Sequence, residues 1–319
     1  MYTLGIETSC DETSVAVVAK RKVSSCKTFS SIRLHAKYGG VIPEIASRRH
    51  LKFIDHVTTL ALKDAGIRAK DIGLVAVTRE PGLIGSLLVG LRFAESLAYS
   101  LDVPLLGIDH LHAHLFAAFL DRPKVTLPFL GLVASGGHTQ IYRVNDLFQF
   151  RLIAQTRDDA CGEALDKVGR YYGLGFPAGA KIDSLFRAEW VEERLFRMKS
   201  LERFDFSFSG IKTKAVYLHD QLQKEGTLTE KRVTGILSSF QYAVVDSLIN
   251  NLTRSVKKFK IGTVVCGGGV VANSLLRARL ADLRKSLGLE LLLPPIKYCQ
   301  DNAAGVAGLG EYLYAKRKP

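Results

Sequence analysis

Two β-hairpins of one design, set roughly 125 residues apart, constrain this chain more than any other feature. The first runs Leu4-Gly5-Ile6-Glu7-Thr8-Ser9-Cys10-Asp11-Glu12-Thr13-Ser14-Val15-Ala16-Val17-Val18. The second runs Phe129-Leu130-Gly131-Leu132-Val133-Ala134-Ser135-Gly136-Gly137-His138-Thr139-Gln140-Ile141-Tyr142-Arg143-Val144. In each, an apolar strand-like run meets a turn of small, hydroxylated or acidic residues, and a second run returns. A hairpin repeated at that distance predicts an α/β chain with two duplicated lobes that face each other across a cleft. Between the hairpins, residues 43–65 and 83–99 carry helical apolar spacing and residues 73–77 read as a strand. Residues 182–260 are mainly helical in pattern, as filler for the second lobe. Residues 261–266 then form a strand that runs into Gly267-Gly268-Gly269 and a helix over 274–287. That order lets backbone approach a nucleotide closely, although the GxGxxG and Walker lysine patterns are absent. A last helix over 301–316 is expected to open on Asp301 as its cap.

The chain has 319 residues, 47% of them hydrophobic, enough core for two lobes. Forty-four Lys and Arg stand against 31 Asp and Glu, a net charge of +13. The surplus is grouped at Lys20-Arg21-Lys22, Arg48-Arg49-His50, Lys257-Lys258, Arg284-Lys285 and Lys316-Arg317-Lys318. Each group reads alone as a solvated face, while the sum favours a polyanionic partner such as RNA. Five scattered cysteines without a CxxC pair point to a reducing compartment. The N-terminus opens on strand-like residues and lacks the pattern of a signal peptide, and the most apolar stretch, 83–100, contains Arg92 and Glu95. The expectation is a soluble cytoplasmic protein with no membrane span.

The chemistry-bearing residues come next. In Asp109-His110-Leu111-His112-Ala113-His114 the first and third histidines stand one helical turn apart, so His110 and His114 can converge on one divalent metal while His112 points away. Two ordinary surface or core histidines are the bland alternative. Asp301 could complete a two-histidine, one-carboxylate set. Glu7, Asp11 and Glu12 at the first turn could bind metal, accept substrate hydrogen bonds or be solvated. Ser135-Gly136-Gly137 offers unobstructed backbone N–H groups for an anion, or is a plain hairpin turn. Asp159, Glu163 and Asp166 fall at helical spacings beside Asp158 and Lys167, either as a site or as a salt-bridged helix face.

Taken together these motifs resemble a known family, the tRNA N6-adenosine threonylcarbamoyltransferases once called O-sialoglycoprotein endopeptidases, in their bacterial and organellar form. The matching residues are Gly5 to Thr13, Gly39 to Arg48, His110 and His114, Ser135 to Gln140, Asp158 to Lys167, Phe206 to Gly210, Gly268 to Asn273, and Asp301-Asn302. The resemblance covers essentially the whole chain, and Ser9-Cys10-Asp11-Glu12 is the bacterial-type first turn. It implies the two-lobed actin/hexokinase/heat-shock-chaperone (ASKHA) superfold with duplicated ribonuclease-H-like lobes. The division expected is 1–115 plus helix 303–319 for the first lobe and 116–302 for the second, with the helical insertion at 182–260.

The resemblance further implies one metal in the cleft, Fe2+ ahead of Zn2+, on His110, His114 and Asp301. The implied substrate positions are Val133, Ala134, Ser135, Gly136, Gly137, Asp166, Gly179 and Asn273, with Asp183 nearby. The reaction would move a threonylcarbamoyl group from its adenylate, threonylcarbamoyl-AMP, to N6 of adenosine 37 in tRNAs reading ANN codons. Such chemistry needs a Lewis acid, a groove for the anticodon arm and a proton acceptor, for which Asp11 and Glu12 are the candidates. Implied partners are a paralogous dimerisation subunit and a small ATPase for a bacterial protein, or a homodimer for an organellar, mitochondrial one, together with the synthase that makes the adenylate. The helix pair at 43–65 and 83–99 is the candidate docking surface.

Three positions depart from the family pattern: Glu80 in Glu80-Pro81-Gly82, and Ala178 and Ala180 in Pro177-Ala178-Gly179-Ala180. Alanine at 178 is expected to reshape the substrate loop by disfavouring positive φ. A metalloprotease reading is weakened because HExxH is absent, and a small-molecule kinase needs no protein-held transition metal. A non-catalytic nucleotide-binding scaffold remains the alternative from a different class.

Overall fold

The computed structural model describes residues 1–122, 124–198 and 204–317. Lys318, the last of the basic group at the C-terminus, lies outside them. The chain divides into two compact units, Met1–Thr126 with Cys266–Gly268 and Leu292–Pro319, and Leu127–Val265 with Gly269–Leu291.

The first unit is built on a five-stranded sheet in the order β3-β2-β1-β4-β5. Its strands are β1 (Tyr2–Glu7), β2 (Glu12–Ala19), β3 (Lys22–Ser30), β4 (Ile72–Glu80) and β5 (Leu105–Asp109). The opening hairpin pairs β1 with β2 antiparallel, Ile6 facing Val15, and β1 runs parallel to β4, Ile6 facing Val77. Because β1 is covered on both faces, its residues are buried from Thr3 to Glu7, as a central strand demands. The helices are α1 (Ile32–His35), α2 (Pro43–Ala65), α3 (Ile84–Leu101), α4 (His110–Phe116) and α10 (Ala303–Arg317). Helix α2 starts with Pro43 in its first turn and stops at Gly66, whose φ of 68° closes the C-terminus. Its buried stripe runs Ala46, His50, Ile54, Val57 and Ala61, of which Ile54, Val57 and Ala61 pack in one core with Leu4, Ile6, Val15 and Val17.

The second unit repeats the plan in a sheet ordered β10-β9-β6-β7-β8. Here β6 (Phe129–Ala134), β7 (Thr139–Asp146) and β8 (Gln149–Gln155) are the antiparallel strands, followed by β9 (Thr263–Gly267) and β10 (Glu290–Leu292). Its helices are α5 (Cys161–Tyr171), α6 (Gly179–Leu185), α7 (Ser209–Lys224), α8 (Glu230–Phe259) and α9 (Ser274–Leu287). The long stripe of α8, including Leu237, Phe240, Val244, Leu248 and Leu252, is fully buried. The α/β class and the repeated sheet expected from the two hairpins are thus present.

Several details differ from the sequence reading. Residues 116–126, 266–268 and 292–302 belong to the first unit, not the second. The reason is apolar: Phe116 and Leu120 pack under Gly308 of α10, and the Phe116 ring meets Tyr312 at 6.0 Å. Asp301 is not the cap of α10; Asn302 Oδ1 accepts the Ala304 N–H at 3.0 Å, which leaves Asp301 to other partners. The basic pairs Lys257-Lys258 and Arg284-Lys285 sit in the last turns of α8 and α9, where cations complement the helix dipole.

Candidate metal centre and adenylate-binding residues

The histidine helix is positioned by the residue just before it. Asp109, the last of β5, accepts the His112 N–H at 2.9 Å and so starts α4 immediately after the strand. One turn then stacks His110 and His114 on a single buried face, their ring centroids 4.5 Å apart. His112 faces Asp109 instead, as the spacing requires. Asp301, in the loop entering α10, brings Oδ1 to 3.1 Å from His114 Nε2 and 3.6 Å from His110 Nε2. One ligand atom from each of the three residues lies within 4.8 Å of the others. Two imidazoles and a carboxylate converging in a buried site are a donor set suited to a divalent iron or zinc ion.

Small residues make that convergence sterically feasible. A Cβ on Gly305 of α10 would lie 2.4 Å from the Ala113 carbonyl oxygen, and one on Gly267 would lie 2.3 Å from the His114 carbonyl oxygen. Any larger residue at either position would push the histidine helix outward.

The first turn, Thr8 to Asp11, lies against this centre through Ser9, whose Oγ is 3.3 Å from His110 Nδ1. Glu7, which sequence alone leaves open between ligand and solvated turn residue, is 1% exposed and pairs with His110 Nδ1 at 3.0 Å. Burial resists charge on both partners, yet mutual attraction prevails: Glu7 stays below its ordinary range, while Glu7 and Asp301 lift His110 to about 9. Asp11 is 7% exposed and its Oδ2 has no hydrogen-bond partner among the described residues. Burial first, and the Asp301 charge second, push Asp11 up to about 6 and Glu12 up to about 9. Glu12 and Asp301 also line a cavity of about 400 Å³ with Cys26, Thr28, Tyr298 and Gln300. His50, read from the sequence as part of a basic, solvated group, is instead buried and clamps the turn from α2: its Nε2 is 3.0 Å from the Cys10 carbonyl and its Nδ1 2.8 Å from Thr13 Oγ1. The buried i, i+4 rhythm of α2 was the signal for its inward direction, but not for its partners.

The second unit gathers the other expected residues into local arrangements. Val133 and Ala134 end β6 fully buried, and Ser135 ties the turn by accepting the His138 N–H on Oγ at 3.1 Å. Gly136 and Gly137 are exposed, and a Cβ added at either would meet nothing within 4 Å among the described residues, so backbone there is open to a ligand. Asp166 Oδ1 accepts the N–H groups of Ala178 and Gly179, each at 2.8 Å. Ala178 has φ of −107°, so alanine sits in this loop without backbone strain. Its Cβ instead requires glycine opposite, since a methyl on Gly169 would lie 2.5 Å from it. Asp183 accepts the Ser274 N–H at 2.9 Å and a hydrogen bond from Gln241 Nε2 at 3.0 Å, which joins α6 and α8 to the start of α9. Asn273 caps α9 by accepting the Leu276 N–H at 2.9 Å.

The remaining acidic residues make ion pairs and backbone hydrogen bonds. Asp159 precedes α5 and pairs with Lys167 at 2.7 Å and with Lys212, and Glu163 pairs with Lys167 at 2.8 Å. Asp158 accepts the Phe208 N–H at 2.7 Å. Glu80 is exposed and paired with Arg79.

Comparison with known proteins adds the following. The family model described as TsaD, tRNA N6-adenosine threonylcarbamoyltransferase, matches residues 22–308. A protein of that name from Thermodesulfovibrio yellowstonii is 46% identical over 318 residues, 99% of this chain and 95% of that protein. Another from Chlamydia felis is 41% identical over 323 residues, 100% of this chain and 93% of that one. Among solved structures, full-length HypF in its phosphate- and nucleotide-bound form aligns with a TM-score of 0.65 at 16% identity, covering 100% of this chain and 47% of that one. Component A of the Acidaminococcus fermentans (R)-2-hydroxyglutaryl-CoA dehydratase aligns with a TM-score of 0.53 at 15% identity, covering 99% of each chain. At such identities these two likenesses establish the fold, which is of the actin/hexokinase/heat-shock type.

Proposed function

The chain belongs to the tRNA N6-adenosine threonylcarbamoyltransferase family, and on that footing we propose that it transfers the threonylcarbamoyl group of threonylcarbamoyl-AMP to N6 of adenosine 37 in tRNAs reading ANN codons. It is a transferase. The observation that carries the reading is the convergence of His110, His114 and Asp301 on one point, which a bare nucleotide-binding scaffold has no need to build.

In the reaction the N6 amine attacks the carbamoyl carbon, the bond to the adenylate phosphate oxygen breaks, AMP leaves, and the amine gives up one proton. A divalent metal on His110, His114 and Asp301, with Fe2+ preferred to Zn2+, would supply Lewis acidity toward a phosphate or carbamoyl oxygen. The open backbone at Gly136 and Gly137 supports a role in receiving the adenylate phosphate. Asp166 supports adenylate binding indirectly, by holding the loop at Ala178 and Gly179 with two hydrogen bonds. Asp183 and Asn273 fix the neighbouring start of α9. Of the two candidate proton acceptors, Asp11 is preferred, because its Oδ2 has no hydrogen-bond partner among the described residues.

A net charge of +13 supports the anticodon arm of tRNA as the macromolecular substrate. Leu51 of α2 and Ile84, Leu88 and Tyr99 of α3 are 50–90% exposed, which supports these helices as the surface for a paralogous subunit in a bacterial protein or a second copy in an organellar one. The small ATPase and the adenylate synthase are further partners of the proposed reaction. The five cysteines, none of them in a disulfide among the described residues, support a reducing, cytoplasmic setting.

The test is transfer of labelled threonine into an unmodified tRNA reading an ANN codon, with the synthase and partner subunits present and His110→Ala in parallel. Label at adenosine 37 that disappears with the variant is the expected result. No label from this chain, while a homologous enzyme works in the same mixture, would leave the scaffold reading in its place.

A further inference from the structure

We infer that Glu7 is a positioning residue for the metal, holding the Nδ1 proton of His110 so that Nε2 of the same ring is presented as the ligand. The inference rests on the reading of His110, His114 and Asp301 as metal ligands.

Glu7 ends β1 and faces the end of β4, since Ile6 pairs with Val77 in the parallel ladder. It is 1% exposed, which excludes a solvated turn residue. Each of its oxygens is committed. Oε1 accepts the Ser9 N–H, and Oε2 accepts both the Thr78 hydroxyl and His110 Nδ1, the last at 3.0 Å. Ser9 N and Thr78 come from two different elements, so the plane of the carboxylate is fixed before the imidazole meets it.

The proton assignment follows from donor chemistry. An ionised carboxylate only accepts, so the ring nitrogen facing it must carry the hydrogen. A protonated Nδ1 has no lone pair left for the Ser9 hydroxyl 3.3 Å away, which therefore adds only a secondary contact. The ring's other nitrogen, Nε2, is the one directed toward Asp301, at 3.6 Å, where His114 Nε2 also points. A histidine ligand commonly donates its remote N–H to a carboxylate in this way, which fixes tautomer and ring angle and raises ligand basicity. Direct ligation by Glu7 is disfavoured, because three donors already occupy its two oxygens.

The experiment uses the full chain and metal alone. Zn2+ affinity is measured by chelator competition, and the visible absorption of bound Co2+ reports ligand geometry, for wild type, Glu7→Gln, Thr78→Val and His110→Ala. Glu7→Gln should bind Zn2+ about 10- to 100-fold more weakly, with an altered Co2+ spectrum. Thr78→Val, which removes a donor that fixes the carboxylate, should shift both in the same direction by less. Wild-type affinity and spectrum in Glu7→Gln overturn the inference even if its thermal stability falls. If Glu7→Gln does not fold, unchanged binding in Thr78→Val overturns it. A loss equal to that of His110→Ala would make Glu7 a ligand itself, which also overturns it. A wild type that takes up no metal sinks the metal reading, and this inference with it, whereas wild-type uptake with no effect of the Glu7 variant sinks this inference alone.

Discussion

Replacing Gly305 by alanine should separate the metal ligands with one methyl group. Gly305 is buried on α10, and the added Cβ would lie 2.4 Å from the Ala113 carbonyl oxygen and 3.1 Å from its carbon, where ordinary contact begins near 3.4 Å. Relief needs a shift of about 1 Å, and the obstructing atoms are backbone, so no side chain can rotate away. Two effects compete. Alanine favours the helix by about 1 kcal/mol over glycine. Overpacking costs about 1–3 kcal/mol, occasionally more. With a rigid carbonyl as the neighbour the overpacking cost should fall in the upper part of that range, about 2–3 kcal/mol, giving a net destabilisation of roughly 1–2 kcal/mol, or roughly 2–4 °C in Tm for each kcal/mol. Ala113 adjoins His114, and Asp301 lies one turn ahead of Gly305, so α4 and α10 cannot part without stretching the 3.1 Å His114–Asp301 contact. Gly310→Ala is the control: its Cβ would meet the Ala76 Cβ at 2.5 Å, a similar clash on the sheet side of the helix. Thermal unfolding and Zn2+ titration should find both variants less stable and only Gly305→Ala weaker in metal binding. A Gly305→Ala protein with wild-type Tm and metal affinity would refute the argument, as would equal metal loss in Gly310→Ala.

Other predictions follow from the second unit. Burial opposes the charge on Asp159, but Lys167 and Lys212 outweigh it and hold the carboxyl below its ordinary range. Its stabilisation is therefore complete above a pH of about 4 and lost as the pH falls further, so Asp159→Asn should lower Tm at pH 7 and differ less from wild type near pH 3. Asp166→Ala removes the acceptor of the buried Ala178 N–H and should cost about 1–3 kcal/mol in denaturant unfolding. If that loop receives the adenylate, the KM for threonylcarbamoyl-AMP should rise more than kcat falls; an unchanged KM would detach the loop from the substrate. Asn273→Ala deletes the cap of α9 and should cost about 0.5–2 kcal/mol, whereas Asn273→Asp, which still accepts from Leu276, should cost less in the same unfolding measurement.

Sequence sufficed wherever local rules govern. Alternating and helical apolar periods produced the paired hairpins, and Pro43 and Gly66 bound α2 to the residue. The i, i+4 spacing put His110 and His114 on one face, because helix geometry fixes that relation without any distant partner. Asp301 could be nominated but not assigned: at 187 residues from His114 its role depended on whether Asn302 took the cap of α10. The acidic run from Asp158 to Asp166 looked uniform in sequence, yet only tertiary packing decides which carboxylate meets a lysine and which meets backbone N–H groups. Glu7 shows the same division most sharply. The sequence puts it at the first turn, whereas the fold extends β1 through it, buries it and gives it Thr78 from a parallel neighbour and His110 from a later helix as partners. Parallel pairing and helix docking bring together residues that no local period relates, so their hydrogen bonds exist only in the folded chain.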